Sequence, residues 1–491
     1  MMAELKRDLV GMYVHQHWPY RHPYAARTWT EGDWRGYAEG LCALGYNAVM
    51  IWPVLETMPS PLPASDRAHL EKLQRVVAAL QRELGMAVYI ALCPNVAPVD
   101  EVARRAPFEE RHFFYSDRRV DPGDRDAVAD MLRRRAELLE PLKAADGVVI
   151  IDSDPGGYPG STNEEFATLL AGHRRLLDGL RPGIELVYWM HAGWQSYARF
   201  YATGEFHWGK PEEFVDQLER LAALDLEPWG MANGLEFARQ LGLEERVVCY
   251  RYGVIEGEPS FPTTNFSGQR AFEAGAQRGP RGVMGNAQTH CLQLPNTLAF
   301  ARGATGGQLG DGDYLELASR LIPGREREIV GAWRAMASRD QLEVRDARGA
   351  LSEVIDAARR GSTRTGDLEG LLFGDPVRFL EDLAAQLEVR AACGDFVALA
   401  GGAEAREALG RFAAVAAVWQ RRHGYRNQWG WSRMLRALES VGAPDLDREL
   451  EPEPVGATPF EQVQSHYFRT ETRTVRLLEA MRRYADGEAS P

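Results

Sequence analysis

Short apolar runs alternate with amphipathic stretches from the N-terminus to about residue 305. The runs are LVGMYVHQHW from Leu9, NAVMIWPVLE from Asn47, MAVYIALCPN from Met86 and GVVIIDSDPGG from Gly147. They continue with IELVYWMHAGW from Ile184, LEPWGMANG from Leu226, RVVCYRYGVIEG from Arg246 and GVMGNAQTHCLQLPN from Gly282. Short runs of β-branched and apolar residues, each ended by Gly, Pro or Asn, read as buried parallel strands. Between them lie EGDWRGYAEGLCALG, DRAHLEKLQRVVAALQRELG, NEEFATLLAGHRRLLDGL and PEEFVDQLERLAAL, which carry the helical period. Thr30, Ser65 and Thr162 stand where helix N-caps belong.

Eight strands with intervening helices predict an α/β fold, a (β/α)8 TIM barrel. The wide gap between the third and fourth runs predicts an insertion, VAPVDEVARRAPFEERHFFYSDRRVDPGD, on the active face. The sixth and seventh runs lie close together, so that unit is trimmed. A doubly wound open sheet competes, but HQHWPYRHPY follows the first strand where that fold carries a Gly-rich phosphate turn. From about Gly324 the strand signal stops, and GREREIVGAWRAMAS, DARGALSEVIDAARRG, DPVRFLEDLAAQLEVRAA, AEAREALGRFAAVAAVWQRR and TETRTVRLLEAMRRYADG follow as amphipathic helices. The expected organisation is a catalytic barrel over 1–321 and an all-α C-terminal helical domain over 322–491, with a homodimer through that domain left open.

Composition narrows the function. In 491 residues, 57 Lys plus Arg face 70 Asp plus Glu, a net charge of −13, which argues against nucleic acid and anionic membranes as partners. No apolar run reaches the roughly 18–20 residues of a membrane span, and the opening residues show no secretory apolar region. Five scattered cysteines without a CxxC predict reduced thiols and a cytoplasmic protein. With 45% hydrophobic residues the core needs no metal or disulfide staple. The 12 Trp are the unusual feature, because many close apolar runs.

Active sites of such barrels lie at the C-terminal strand ends. There the fourth run presents Asp152 and Asp154 on one side by period-two alternation, and Pro155 ends the ladder. Paired carboxylates repel, which raises one pKa and suits a general acid beside an ionised partner; capping or Arg pairing is the competing role. Glu256 after the seventh run is a third candidate, and Glu56 after Trp52 a fourth carboxylate at the rim. Asn286 and Gln288 at the end of the eighth run, with Asn95 and Asn233, are buried amides that need partners, either ligand hydroxyls or loop backbone. Aromatics gather at the same ends: Trp18, Trp52, Tyr188, Trp189, Trp194, Trp208, Trp229, Tyr250 and Tyr252. Sugars stack their apolar faces on such rings and give their hydroxyls to Asn, Gln, His and carboxylates. Trp429 and Trp431 in QWGWSRM are expected in the core, with a partner's active site as the alternative.

His15-Gln16-His17, with His191, resembles the metal-binding HxH set of the amidohydrolase barrels. No strand Lys, sixth-strand His or eighth-strand Asp completes it, so neutral imidazoles binding sugar hydroxyls fit better. No metal or cofactor is expected.

RTWTEGDWRGYAEGLCALGYNAVMIWPVLE and the strand-four acids resemble retaining glycoside hydrolases of the broad N-acetylhexosaminidase kind over roughly residues 9–305. The resemblance implies that Asp152 orients a substrate acetamido group that attacks its own anomeric carbon, with Asp154 as acid/base. Gly156 stands where a DxDxE pattern has Glu, and Ser153 separates the two acids. A second retaining scheme pairs Asp154 or Asp152 with Glu256 as nucleophile. The expected activity is hydrolysis of a glycosidic bond in a small sugar or oligosaccharide. A metal-dependent hydrolase using His15 and His17, and a non-catalytic carbohydrate-binding barrel, are the alternatives.

Overall fold

The computed structural model describes residues 5–16, 21–111, 113–153, 155–256, 268–287, 292–338, 340–423, 457–458, 460–461 and 473–488. Its centre is a closed parallel barrel. In chain order the barrel strands are β1 (Leu9–His15), β2 (Ala48–Trp52), β3 (Ala87–Leu92) and β4 (Gly147–Ile151). They continue as β5 (Glu185–Trp189), β6 (Trp229–Ala232), β7 (Val247–Arg251) and β8 (Gly282–Ala287). β1 closes the ring by pairing in parallel with both β8 and β2. The expected TIM barrel is therefore present, with all eight strands where the apolar runs place them.

Alternation along each strand divides the wall into two faces. Leu9, Met50, Tyr89, Val149, Val187, Ala232, Val248 and Met284 face one internal cavity. Their strand neighbours pack outward on the helices. The N-terminal end of the barrel is plugged by a buried ion pair, Arg281 to Glu185, at 2.6 and 2.9 Å. The Tyr89 hydroxyl donates to the same carboxylate at 3.3 Å. Gly230 makes room for this plug: a Cβ there would lie 2.0 Å from the Arg281 guanidinium.

Capping boxes open the helices Glu31–Leu44 at Thr30 and Asn163–Leu180 at Thr162, as expected. Ser65 is a correction. The helix Ala64–Leu84 begins two residues earlier than that cap implies, its cap position is the extended Pro63, and Ser65 lies inside the first turn. Its hydroxyl is used elsewhere, donating to Asp66 and accepting from the Phe108 amide. The insertion after β3 folds into an antiparallel ribbon, Val96–Pro98 against Asp117–Arg119, on the C-terminal face.

Beyond the barrel the described chain is helical: Glu326–Ala337, Gln341–Arg359, Pro376–Leu399, Ala405–His423 and Arg473–Ala485. One continuous apolar core runs from Leu9 in β1 to Met481 in the last helix. The loop after β1 docks on this region. The Arg21 amide donates to the His423 carbonyl at 3.1 Å, and the Tyr24 hydroxyl donates to Asp382. Phe460 packs its ring 5.5 Å from Tyr158 and 5.3 Å from Tyr201, beside the loops after β4 and β5. Among the described residues no helix is long and apolar enough to cross a membrane.

Candidate active site

The inward-facing residues at the C-terminal ends of the strands form an aromatic lining. Tyr13 lies 4.2 Å from His15, 5.2 Å from Trp189 and 5.7 Å from Tyr250, ring centre to ring centre. His15 meets Trp52 at 6.2 Å, and Trp189 meets Tyr250 at 4.4 Å in an edge contact. Higher up, Trp189 lies 6.5 Å from His191, and His191 5.9 Å from Trp208. Tyr252 continues from Tyr250 at 6.5 Å and is exposed at the rim. Burial in the lumen lowers the His15 imidazole to about 3, so it is neutral and able to exchange hydrogen bonds with hydroxyls.

Asp152 lies just past β4 and is fully buried. Its carboxylate accepts from Ser153 Oγ at 2.7 Å, Tyr188 Oη at 2.9 Å, and the amides of His191 and Gly193 at 3.2 and 3.3 Å. Burial still pushes its pKa up, against these donors. Ser153 Oγ also accepts from the Ala192 amide and contacts His191 Nδ1, both at 3.0 Å. A serine hydroxyl has one proton, and here it goes to Asp152. His191 must therefore carry a proton on Nδ1 and donate it to Ser153 Oγ. Asp154, the other strand-four acid, lies outside the described residues, as do His17, Trp18 and Gln288.

Glu56 is buried beside the lumen wall. Its carboxylate accepts from the Cys93 amide at 2.5 Å and from Trp52 Nε1 at 3.4 Å. Burial raises its pKa, and the Arg135 guanidinium nearby opposes that rise. Glu256 is buried too. Its backbone is tied to Asn286, and Gln293 Nε2 donates to its carboxylate at 3.5 Å.

The buried amides find loop backbone. Asn286 donates to the Glu256 carbonyl at 2.8 Å and accepts from the Gly253 amide at 3.0 Å, fixing the loop after β7. Asn95 donates to the Val120 and Gly157 carbonyls, both at 2.8 Å, joining the ribbon to the loop after β4. Asn233, held at φ +67°, accepts from the Tyr250 amide at 2.7 Å.

Three aromatics expected at the mouth are elsewhere. Trp229 opens β6 instead of ending it, pairing in register with Leu186 near the start of β5. Its ring lies under Arg246 at 4.7 Å, at the N-terminal end of the barrel. Tyr188 alternates with the inward-facing Val187 and Trp189, so it points outward and meets Phe166 of the following helix at 5.7 Å. Trp194 stacks on the same Phe166 at 4.8 Å and donates to Ser161 Oγ. These three hold the wall and line no subsite. Gly156 is also constrained: a Cβ there would lie 2.7 Å from the Asp152 carbonyl, so this backbone has no space for a third acid. Among the described residues no group of three His, Cys, Asp or Glu side chains is placed to hold a metal.

No protein-family model matches the chain, and no curated protein does. Solved structures do match. A GH138 enzyme targeting pectin rhamnogalacturonan II aligns at 10% identity and TM-score 0.44, over 89% of this chain and 62% of that one. The GH20 β-N-acetylhexosaminidase from Streptomyces coelicolor A3(2) aligns at 11% identity and TM-score 0.37, over 63% and 67%. Old Yellow Enzyme from Pichia sp. AKU4542 aligns at 11% identity and TM-score 0.33, over 59% and 82%. The chain spans less than two thirds of the length of the GH138 protein.

Sequence reasoning missed Tyr13 and Ser153. Tyr13 shares the inward face of β1 with His15, and the same period-two rule finds it. Ser153 carries no such signal, because its role depends on His191, 38 residues away.

Proposed function

We propose that the chain is a glycoside hydrolase acting at the barrel mouth on a small sugar or oligosaccharide. The observation that carries this reading is the aromatic lining from Tyr13 to Trp208, interrupted by imidazoles and bordered by buried carboxylates. Rings with polar atoms between them suit a substrate that is apolar on its ring faces and polar at its edges. Asp154 is the proposed acid/base. Asp152, already held by four donors, positions Ser153, His191 and the loop after β5. Glu256 and Glu56 are the candidate second carboxylates. His191 and His15 exchange hydrogen bonds with substrate hydroxyls, and Tyr252, exposed at the rim, supplies stacking surface above the buried Trp52 and Trp189. An acetamido sugar with substrate-assisted attack remains the finer proposal, on the strand-four acids alone. Cytoplasmic location is proposed on five scattered cysteines with no CxxC among them.

The test is turnover of 4-nitrophenyl glycosides of N-acetylglucosamine, glucose, galactose, mannose and rhamnose. Replacing Asp154 with Asn is expected to lower kcat by about 100-fold or more on any glycoside the parent cleaves. Glu256→Gln and Glu56→Gln, assayed beside it, identify the second carboxylate. Parent-like turnover by Asp154→Asn removes the assignment. Sugar binding with no turnover by the parent leaves a non-catalytic carbohydrate-binding barrel.

A further inference from the structure

A small apolar cluster stands apart from the main core at the C-terminal end of β5: Ala192, Tyr197 and Tyr201, with Phe200 and Phe460 packed against them. All but Phe460 come from the segment after β5; Phe460 comes from the C-terminal region. The turn that carries Phe460 is held by its own residues. The Thr458 amide donates to Glu461 Oε2 at 3.1 Å, and the Glu461 amide donates to Thr458 Oγ1 at 3.2 Å. The Ala457 amide donates to the same carboxylate at 2.8 Å. This reciprocal pair is a capping box, which fixes a first helical turn with local bonds.

The Phe460 ring stands between two loops. It meets Tyr158, in the loop after β4, at 5.5 Å and 54°. It meets Tyr201, in the helix Trp194–Thr203 after β5, at 5.3 Å and 74°. Both contacts lead to the buried polar group around Asp152. The Ala192 amide donates to Ser153 Oγ at 3.0 Å, and the Gly193 amide donates to Asp152 at 3.3 Å. Ser153 Oγ in turn lies 3.0 Å from His191 Nδ1. The same two loops touch again further in, where a Cβ at Gly157, held at φ +82°, would lie 2.8 Å from Tyr197. The ribbon braces both: Arg119 donates to the Tyr201 hydroxyl at 2.9 Å, and Asn95 donates to the Gly157 carbonyl at 2.8 Å. Phe460 joins the loops at their outer ends, where Tyr158 is only half-buried.

We infer that Phe460 is a positioning residue. It locks the loop after β4 to the segment after β5, and so holds Asp152, Ser153 and His191 in their mutual geometry. The C-terminal region then completes the barrel's active site through this side chain. The inference rests on the glycosidase reading for what the held groups do, but not for the lock itself.

The experiment compares the full chain with Phe460→Ala, Phe460→Leu, Tyr158→Ala and the Phe460→Ala/Tyr158→Ala double variant in two measurements. The first is amide hydrogen exchange followed by mass spectrometry. Phe460→Ala is expected to speed exchange by about tenfold in peptides from 153–162 and 192–201, with the barrel strands unchanged. The second is kcat and KM on a 4-nitrophenyl glycoside that the parent cleaves. Here kcat is expected to fall by about tenfold with KM within about twofold of the parent, because misplaced groups cost turnover more than binding. Phe460→Leu refills the space and is expected to restore most of both. Tyr158→Ala is expected to act in the same direction as Phe460→Ala, and the double variant to lose no more than the worse single one.

Unchanged exchange in the two segments overturns the inference. So does faster exchange across the whole barrel, which marks loss of the fold instead of release of a lock. Local exchange with parent-like kcat, or fully additive losses in the double variant, overturns it as well. If the parent cleaves no glycoside, local exchange that Tyr158→Ala reproduces and Phe460→Leu reverses keeps the lock and removes the hydrolase reading.

Discussion

Asp152 shows how much one carboxylate organises. Ser153 Oγ is one of its four donors and also the group that accepts the His191 Nδ1 proton. Replacing Ser153 with Ala removes a donor from a buried carboxylate and an acceptor from the Ala192 amide, at a cost of about 1–3 kcal/mol. The pH dependence has a definite sign. Burial already holds the Asp152 pKa above its ordinary value, so its contribution to stability is greatest in acid and is lost as pH rises through the folded-state pKa. Losing the Ser153 donor raises that pKa further. The deficit of Ser153→Ala relative to the parent is therefore expected to be larger at pH 7 than at pH 4 in urea titrations. An equal deficit at both values would falsify the view that Asp152 is the group affected. The sequence showed Asp152 as an acid at a strand end. Three of its four donors come from β5 and the segment that follows, and no local pattern announces them.

At the level of elements, the strands were legible because Val, Ile and Ala runs bounded by turn residues have few alternatives in a buried parallel sheet. Their register was less legible. In WGMANG the sequence reads equally as the end of a strand or its beginning, and only the pairing of Trp229 with Leu186 settles which. Trp229→Phe is accordingly expected to leave glycoside KM unchanged, whereas Trp189→Ala is expected to raise it by about tenfold; steady-state kinetics on one cleaved glycoside compares them. The loop after β4 gives a complementary case. Gly156→Glu restores the DxDxE spacing on paper, but its Cβ meets the Asp152 carbonyl. Overpacking there is expected to lower stability by about 1–3 kcal/mol with no gain in turnover, which thermal unfolding and the same assay test together. The aromatic mouth was half visible in advance. Trp52, Trp189, His15 and His191 followed from strand ends, while Asn95 and Asn286 proved to be occupied by loop carbonyls and amides.

For the whole molecule, the helical period after Gly324 was plain, but its relation to the barrel was not, because docking residues carry no periodic signal. Tyr24 in the loop after β1 donates to Asp382, 358 residues away. Arg422 donates to the same carboxylate at 2.7 and 2.9 Å. Around them Trp29 packs on Phe373 at 4.8 Å and Tyr24 on Trp419 at 6.1 Å. A core that continues across this junction couples the two regions, so neither loses its packing without exposing the other. Calorimetry is therefore expected to show one cooperative transition for the full chain. Asp382→Ala leaves the Tyr24 hydroxyl and the Arg422 guanidinium without their shared acceptor, a loss of about 2–3 kcal/mol for a buried charged partner. That loss should lower the single transition as a unit, and near-ultraviolet circular dichroism should move with it because Trp29 and Trp419 sit on opposite sides of the contact. Two resolved transitions, with only the helical one moved by Asp382→Ala, would mean that the barrel keeps its mouth without help from the C-terminal helices.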